Sequence, residues 1–371
     1  MKDVALALSL VLGLNLYKGF PSHFGTVWAE RISQKQGKKK PLLSLVIMHW
    51  MAEATLGHDK IYALCGLSSD AGPGGLDIRF EYEKSVEAAY TNFAAKVLRK
   101  YRNLDILSAL ASYTSGRACD LPSWVPDWRV HKPNTVVYTR PEEGIHGPCE
   151  VLFNATKESL ASPRFDISNN RVRLPLSSMI IDAIKVDGAI QPDHHTTTNG
   201  LKRMFHWRYD IARYPKKKKY SPTGEKMFTA LYETMTMGNL SALLDDSEKQ
   251  YEEFDKDLIT LSVQNDPFAS CYSTRVPPRP VLDNELWDSK VFTACQVRIF
   301  RKLIRTKKEF LGLVHSGARA GDSIALLEGG ALPLVIRRSG DDWVVVGDGY
   351  IHGAMHGELF KEKKCKPFWF Y

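Results

Sequence analysis

The side chains best able to do chemistry cluster near the end of the chain, in the run Val346–Glu358 (VGDGYIHGAMHGE). A histidine there, His352, has Tyr350 and Asp348 close by in sequence, a set suited to general-acid or hydrogen-bonding work. His352, Tyr350 and Asp348 are therefore the candidate catalytic residues. His352 and His356 stand four apart, a spacing that would serve a metal on a helix. Gly353 and Gly357 argue against a helix, and no third ligand is marked, so no metal is expected. A satisfied structural histidine is the bland alternative. His356 is instead assigned to substrate contact, together with Trp124 and Trp128.

Those tryptophans belong to Leu121–Trp128 (LPSWVPDW). Its two prolines fix backbone dihedrals and its tryptophans offer large apolar surfaces. Asp127 is placed to accept bonds from nearby amides and cap the turn. The segment thus reads first as structure, and secondarily as a pocket wall. His194 and His195 fall in a polar loop and are expected to face solvent. Cys65 lies in an apolar stretch and is expected in the core. The sequence has no GxSxG elbow, no P-loop and no GxGxxG, which weighs against serine hydrolases, NTPases and Rossmann oxidoreductases.

The 371 residues, 44% hydrophobic and 25% charged, suffice for a sizeable core in two or three domains. The formal charge of +8 is mild for this length and names no partner. Six cysteines are widely spaced with no CxxC pair, consistent with reduced thiols in a cytoplasmic protein and with no structural zinc. The apolar run Val4–Leu16 is too short to span a bilayer. It is either a buried helix or a targeting segment.

The elements expected to position these groups are as follows. Residues 1–110 are mostly helical, with Pro41–Leu56 as one helix and Tyr82–Tyr101 as another, amphipathic through Val86, Tyr90, Phe93, Ala94, Val97 and Leu98. A further helix begins at Leu104. Arg171–Leu176 and Met179–Val186 suggest paired strands. Residues 201–262 return to helix, with a basic segment at 202–219 and an acidic one at 245–257. These are solvated faces, or two helices that attract each other. Beyond the Pro-rich boundary at 275–280, a helix-then-strand region holds short apolar runs between Gly-rich turns. They predict a small antiparallel sheet or partial barrel.

Three blocks carry a family resemblance. His58–Leu67 (HDKIYALCGL) and Leu121–Trp128 resemble motifs that follow the conserved front domain of fungal heterokaryon-incompatibility (HET) proteins. The third block is Thr306–Leu313, Gly317–Asp322, Leu332–Arg337 and Val346–Glu358, in family order. The chain thus resembles the C-terminal part of a HET protein over residues 45–371. The TIR-like front domain of that family, with its YxxLSYxWG, WIDxLCIxQ and WTxQE blocks, has no counterpart here. The nucleotide-cleaving activity associated with that domain therefore transfers to no residue, and NAD hydrolysis is not expected.

The expected fold class is α+β, with a helical N-terminal half and a β-rich C-terminal block packed on it. The expected divisions are a mainly helical region at 1–130, a mixed region at 131–280 and a β-rich block at 281–371. The turn at 121–128 is expected to hinge that packing. Two functions remain in view. One is a repurposed, cofactor-free cyclase or isomerase of fungal secondary metabolism that binds an apolar small molecule, of the intramolecular Diels–Alder type. The other is a non-enzymatic HET remnant that recognises or regulates a protein partner in heterokaryon incompatibility. A deep aromatic pocket favours the first and an exposed apolar patch the second. Neither a nucleic-acid partner nor stable membrane insertion is expected.

Overall fold

A computed structural model describes residues 36–37, 39–50, 52–110, 120–130, 153–168, 171–190, 206–214, 216, 218–238, 246–265 and 301–371. The run Val4–Leu16 and the histidines His194 and His195 lie outside them. No described helix is long and apolar enough to cross a membrane.

The first helix among the described residues, α1 (Leu42–Met48), starts after Pro41 and stops well short of Leu56. Tertiary bonds explain the early stop. Trp50 Nε1 donates to the Val130 carbonyl at 2.9 Å, and Lys60 Nζ donates to the carbonyls of Trp50 and Ala52. The backbone just past α1 is thereby turned toward partners that a helix would deny it. A short α2 (Asp59–Tyr62) follows. The long α3 (Val86–Tyr101) begins where Ser85 caps it, its hydroxyl accepting from Ala88 N at 3.2 Å. Tyr90, Phe93, Ala94, Val97 and Leu98 form its buried face, as the periodicity predicts. The helix expected from Leu104 is only a 3₁₀ segment, Asp105–Ala109.

The strands build a closed barrel. Besides the short β1 (Asp166–Ser168), they are β2 (Arg171–Asp187), β3 (Arg301–Thr306), β4 (Leu311–His315), β5 (Ser323–Leu327), β6 (Leu334–Ser339), β7 (Asp342–Ile351) and β8 (Lys366–Phe370). The ring runs β2–β3–β4–β7–β6–β5 and closes back on β2, every one of these pairs antiparallel. Closure leaves the ring without a free edge.

The two strands expected within 171–186 are not a pair. They are one strand, because Ser177 and Ser178 between them are themselves paired in the ladder, opposite Pro367 and Lys366 of β8. Its 17 residues serve four partners in succession: β1 from Arg171 to Arg173, β8 from Leu174 to Ser178, β5 from Ser178 to Ala183, and β3 from Ile184 to Asp187. Register shifts at Ile180/Asp182 and Ile184/Val186 bend it around the ring.

Alternate residues of the strands enter different cores. Ile304, Val314, Ile324, Leu326, Val335 and Val346 share one buried cluster inside the barrel. Their neighbours point outward and are buried too. Ala325, Leu327, Leu334, Ile336, Val345 and Phe370 pack with α3 and both Trp124 and Trp128. Leu303, Leu311, Leu313 and Tyr350 pack with Trp207 and the helix α4 (Met227–Thr236), which contacts α5 (Ser247–Asn265). The barrel is therefore covered by helical layers on two sides. That explains why its strands read as near-continuous apolar runs.

The turn at 121–128 ties these layers together. Ser123 N donates to the Tyr371 carbonyl at 2.7 Å, and Val345 N donates to Ser123 Oγ at 3.0 Å. Asp127 accepts from Arg129 N at 3.1 Å and from its guanidinium, which also reaches Glu87 on α3 at 2.6 Å. The basic and acidic segments meet as well. Arg208 and Asp255 form a buried ion pair, and Tyr232 OH donates to the same carboxylate at 2.6 Å.

Candidate functional site

Strand β7 carries Tyr350, and His352 follows it at once, its amide donating to the Leu311 carbonyl at 3.0 Å. The phenol of Tyr350 lies 3.0 Å from His352 Nδ1. On the other side of the ring, His352 Nε2 lies 2.8 Å from Glu225 Oε1. Glu225 is held by a tight turn in front of α4, where Tyr220 N donates to the Glu225 carbonyl and Gly224 N to the Tyr220 carbonyl, both at 2.8 Å. Gly224, at φ +87°, supplies the left-handed conformation this turn requires. Thr223 Oγ1 also bonds the Glu225 carboxylate.

The result is a line of three proton-carrying groups. It runs from the buried phenol of Tyr350 through imidazole to a carboxylate that is 31% exposed. With Nε2 donating to the carboxylate, Nδ1 is left to accept from the phenol. His352 holds the Glu225 carboxyl below its usual range, against the opposing effect of burial. Tyr220 backs the ring at 5.4 Å between centroids, donates to the His352 carbonyl at 3.0 Å and accepts from Leu311 N at 2.9 Å. Burial pushes the Tyr220 phenol well above its ordinary value. Both ring nitrogens of His352 are thus engaged within the protein.

Only part of the set expected from sequence comes together. Tyr350 and His352 bond directly. Phe153 links them to His356, with ring centroids 5.8 Å from Tyr350 and 6.1 Å from His356. Asp348 points elsewhere. It is 1% exposed and accepts from Arg301 at 2.7 Å, in a buried group that includes His315, the cross-strand neighbour of Arg301. His315 accepts from Gly317 N at 3.0 Å and bonds the Leu110 backbone. Burial, with Arg301 beside it, lowers its imidazole to about 3. Gly347 makes room for this ring, since a Cβ there would lie 2.4 Å from His315 Cγ. Trp124 and Trp128 are 0% and 1% exposed, packed against Phe165 and against Trp50 and Phe93. They fill the core between helices and barrel. No group of metal-ligating side chains occurs among the described residues.

A second feature lies on the surface around α2. Phe80 and Tyr82 are 60% and 49% exposed, with Leu56 and Leu67 also open to solvent. Their rings stand edge-on to Tyr62, each 5.3 Å away between centroids, and His58 completes the cluster. Tyr82 OH donates to Asp59 at 2.7 Å, which raises its phenol pKa. Glu81 and Glu83 alternate with the rings in sequence. Cys65, expected in the core, is half-buried against it as a free thiol, and burial pushes it up to about 11.

Glu225, Tyr220, Phe80 and Tyr82 escape a reading of sequence. Glu225 stands 127 residues from His352, and only the fold joins them. The alternation of Phe80 and Tyr82 with glutamates was the available signal for the surface cluster.

Residues 283–371 match the family model of the Het-6 beta-barrel domain. No curated protein and no solved structure matches the chain.

Proposed function

We propose, for a chain whose C-terminal part is a HET-family β-barrel domain, that it acts as a non-enzymatic recognition or regulatory protein in heterokaryon incompatibility. The aromatic cluster around α2 is its partner-binding face. The observation that carries this reading is that, of the seven large apolar side chains exposed among the described residues, four (Leu56, Leu67, Phe80 and Tyr82) fall within residues 56–82. The occupant we assign is a Lys- or Arg-bearing segment of a protein partner. Residues 53–84 hold six carboxylates against three Lys or Arg, in a chain whose net charge is +8. Ring faces flanked by carboxylates attract cations both electrostatically and through the ring quadrupole.

A labelled nona-arginine peptide, followed by fluorescence anisotropy at low and moderate salt, tests this. The Phe80→Ala/Tyr82→Ala double variant should weaken binding by about tenfold, roughly the combined worth of two exposed cation–π contacts. Equal binding by wild type and variant would remove the proposal. In the host, the same variant should abolish any effect of the chain on confrontation between strains.

A second reading has one observation in its favour, the Tyr350–His352–Glu225 line. A phenol in such a line could exchange its bond to His352 Nδ1 for one to a substrate carbonyl, the hydrogen bond that a cofactor-free cyclase requires. The core placement of Trp124 and Trp128 counts against it, because those rings are occupied in packing. Incubation with host extract discriminates the two. Conversion of a metabolite to an isomer of equal mass, lost in Tyr350→Phe, would favour catalysis over recognition.

A further inference from the structure

A cavity of about 350 Å³ opens beside the barrel, where the loop after Phe153 meets the end of β5 and the segment before β8. Its wall includes Lys157, Ser159, Leu160, Glu328, Phe360 and Glu362. The volume lies at the lower end of the range for small-molecule sites.

The loop that forms one side is held in an uncommon conformation. Lys157 and Glu158 both take left-handed backbone angles, φ +54° and +57°, without being glycine. Such residues persist only where the surroundings fix them, and they concentrate at ligand sites. Here Glu158 N donates to Asn154 Oδ1 at 2.6 Å, Asn154 N to the Met355 carbonyl at 2.9 Å, and Ala155 N to the Ala331 carbonyl at 3.0 Å. Gly357 leaves space for the alkyl stem of Lys157, since a Cβ there would stand 2.4 Å from Lys157 Cγ. The stem is therefore placed while its ammonium makes no bond among the described residues. Ser159 Oγ accepts from Gly329 N at 3.0 Å, which leaves its hydroxyl proton to donate. Two carboxylates complete the lining, Glu362 and Glu328, the latter also bonded by the Cys365 thiol, with Leu160 and Phe360 as apolar surface.

We propose that this cavity binds a small zwitterion, an α-amino acid with an apolar side chain. Its carboxylate meets Lys157 Nζ and the Ser159 hydroxyl, and its ammonium meets Glu328 and Glu362. Its side chain lies on Leu160 and Phe360. One cation and two carboxylates around so small a volume suit a ligand that carries both charges. A singly charged ligand would leave one end of the wall without a partner.

Calorimetric titration of the full chain with L-leucine tests the assignment, alongside N-acetyl-L-leucine, which lacks the ammonium, and L-leucine methyl ester, which lacks the carboxylate. Leucine should bind saturably. Each capped compound, and each of the surface variants Lys157→Gln and Glu362→Gln, should bind at least ~tenfold more weakly, the loss of one charge-assisted hydrogen bond. Thermal melts of the two variants, expected to match wild type, exclude misfolding as the cause. Absence of saturable binding up to about 10 mM leucine, weaker than any specific site of this kind would be, overturns the proposal. So does equal affinity for a capped compound, or unchanged binding in both variants. None of these results bears on the aromatic face around α2, which the peptide experiment addresses separately.

Discussion

His315 shows how far burial can move a single group. Its imidazole stays neutral in the folded protein down to about pH 3, whereas an unfolded chain protonates it near 6.5. The unfolded state therefore takes up the proton first as pH falls. The stability it contributes is complete above about pH 6.5 and is lost progressively toward 3. Between pH 7.5 and 5, urea titrations should show wild type losing roughly 2 kcal/mol more than His315→Gln, at about 1.4 kcal/mol per pH unit below 6.5. Glu225 works in the acid range with the usual carboxylate sign. Its folded pKa lies below the ordinary 4.5, so its contribution is present above that value and lost as pH drops through the lower one. NMR titration of Glu225 in His352→Leu should find its pKa displaced upward, since the imidazole is the largest cause of the depression. Sequence made part of this visible. Tyr350 and His352 are two residues apart on a strand end, and their proximity could be read directly. Asp348 shares their spacing but sits one pair further along the sheet, where Arg301 and His315 face each other across β3 and β4, and it bonds Arg301.

At the level of elements, legibility followed local chemistry. The face and C-terminus of α3 were readable from periodicity, and Ser85 marks its start more sharply than the apolar pattern does. Ser85→Ala should cost about 1 kcal/mol, measured by chemical denaturation, for loss of the cap on Ala88 N. Strands β4 to β7 were readable because Gly-rich turns separate them. β3 was not, because Arg301, Lys302 and Arg305 give it a charged look that only the fold resolves. Arg301 bonds Asp348, Lys302 bonds Asp187, and Arg305 donates to the Ile211 carbonyl. β2 was seen as two pieces because a pattern of apolar alternation says nothing about whether a serine pair turns or continues.

For the whole molecule, the decisive fact is that the ring needs β2. The residues that match the Het-6 beta-barrel domain, 283–371, supply β3 to β8 but leave β3 and β5 without the strand that joins them. A fragment of residues 283–371 expressed alone should therefore lack the cooperative thermal transition of the full chain. Adding a peptide of residues 171–187 should restore strand signal in circular dichroism. Removal of Lys366–Tyr371 should destabilise the helical side too, because Phe370 is wholly buried among α3 residues and the Tyr371 carbonyl holds Ser123.

The distance along the chain between β2 and its partners also sets a timetable for synthesis. Asp187 leaves the ribosome 114 residues before Arg301, the first residue of β3. At about 5–20 residues per second, β2 spends on the order of ten seconds in the nascent chain before any of its ring partners exists. Throughout that interval its residues from Leu174 onward lack every strand that pairs them, and such a segment is one that chaperones bind and that aggregates when they do not. Slower translation across 188–300 would lengthen the exposure, so the yield of folded protein should depend on the pace of that stretch more than on any codon after it.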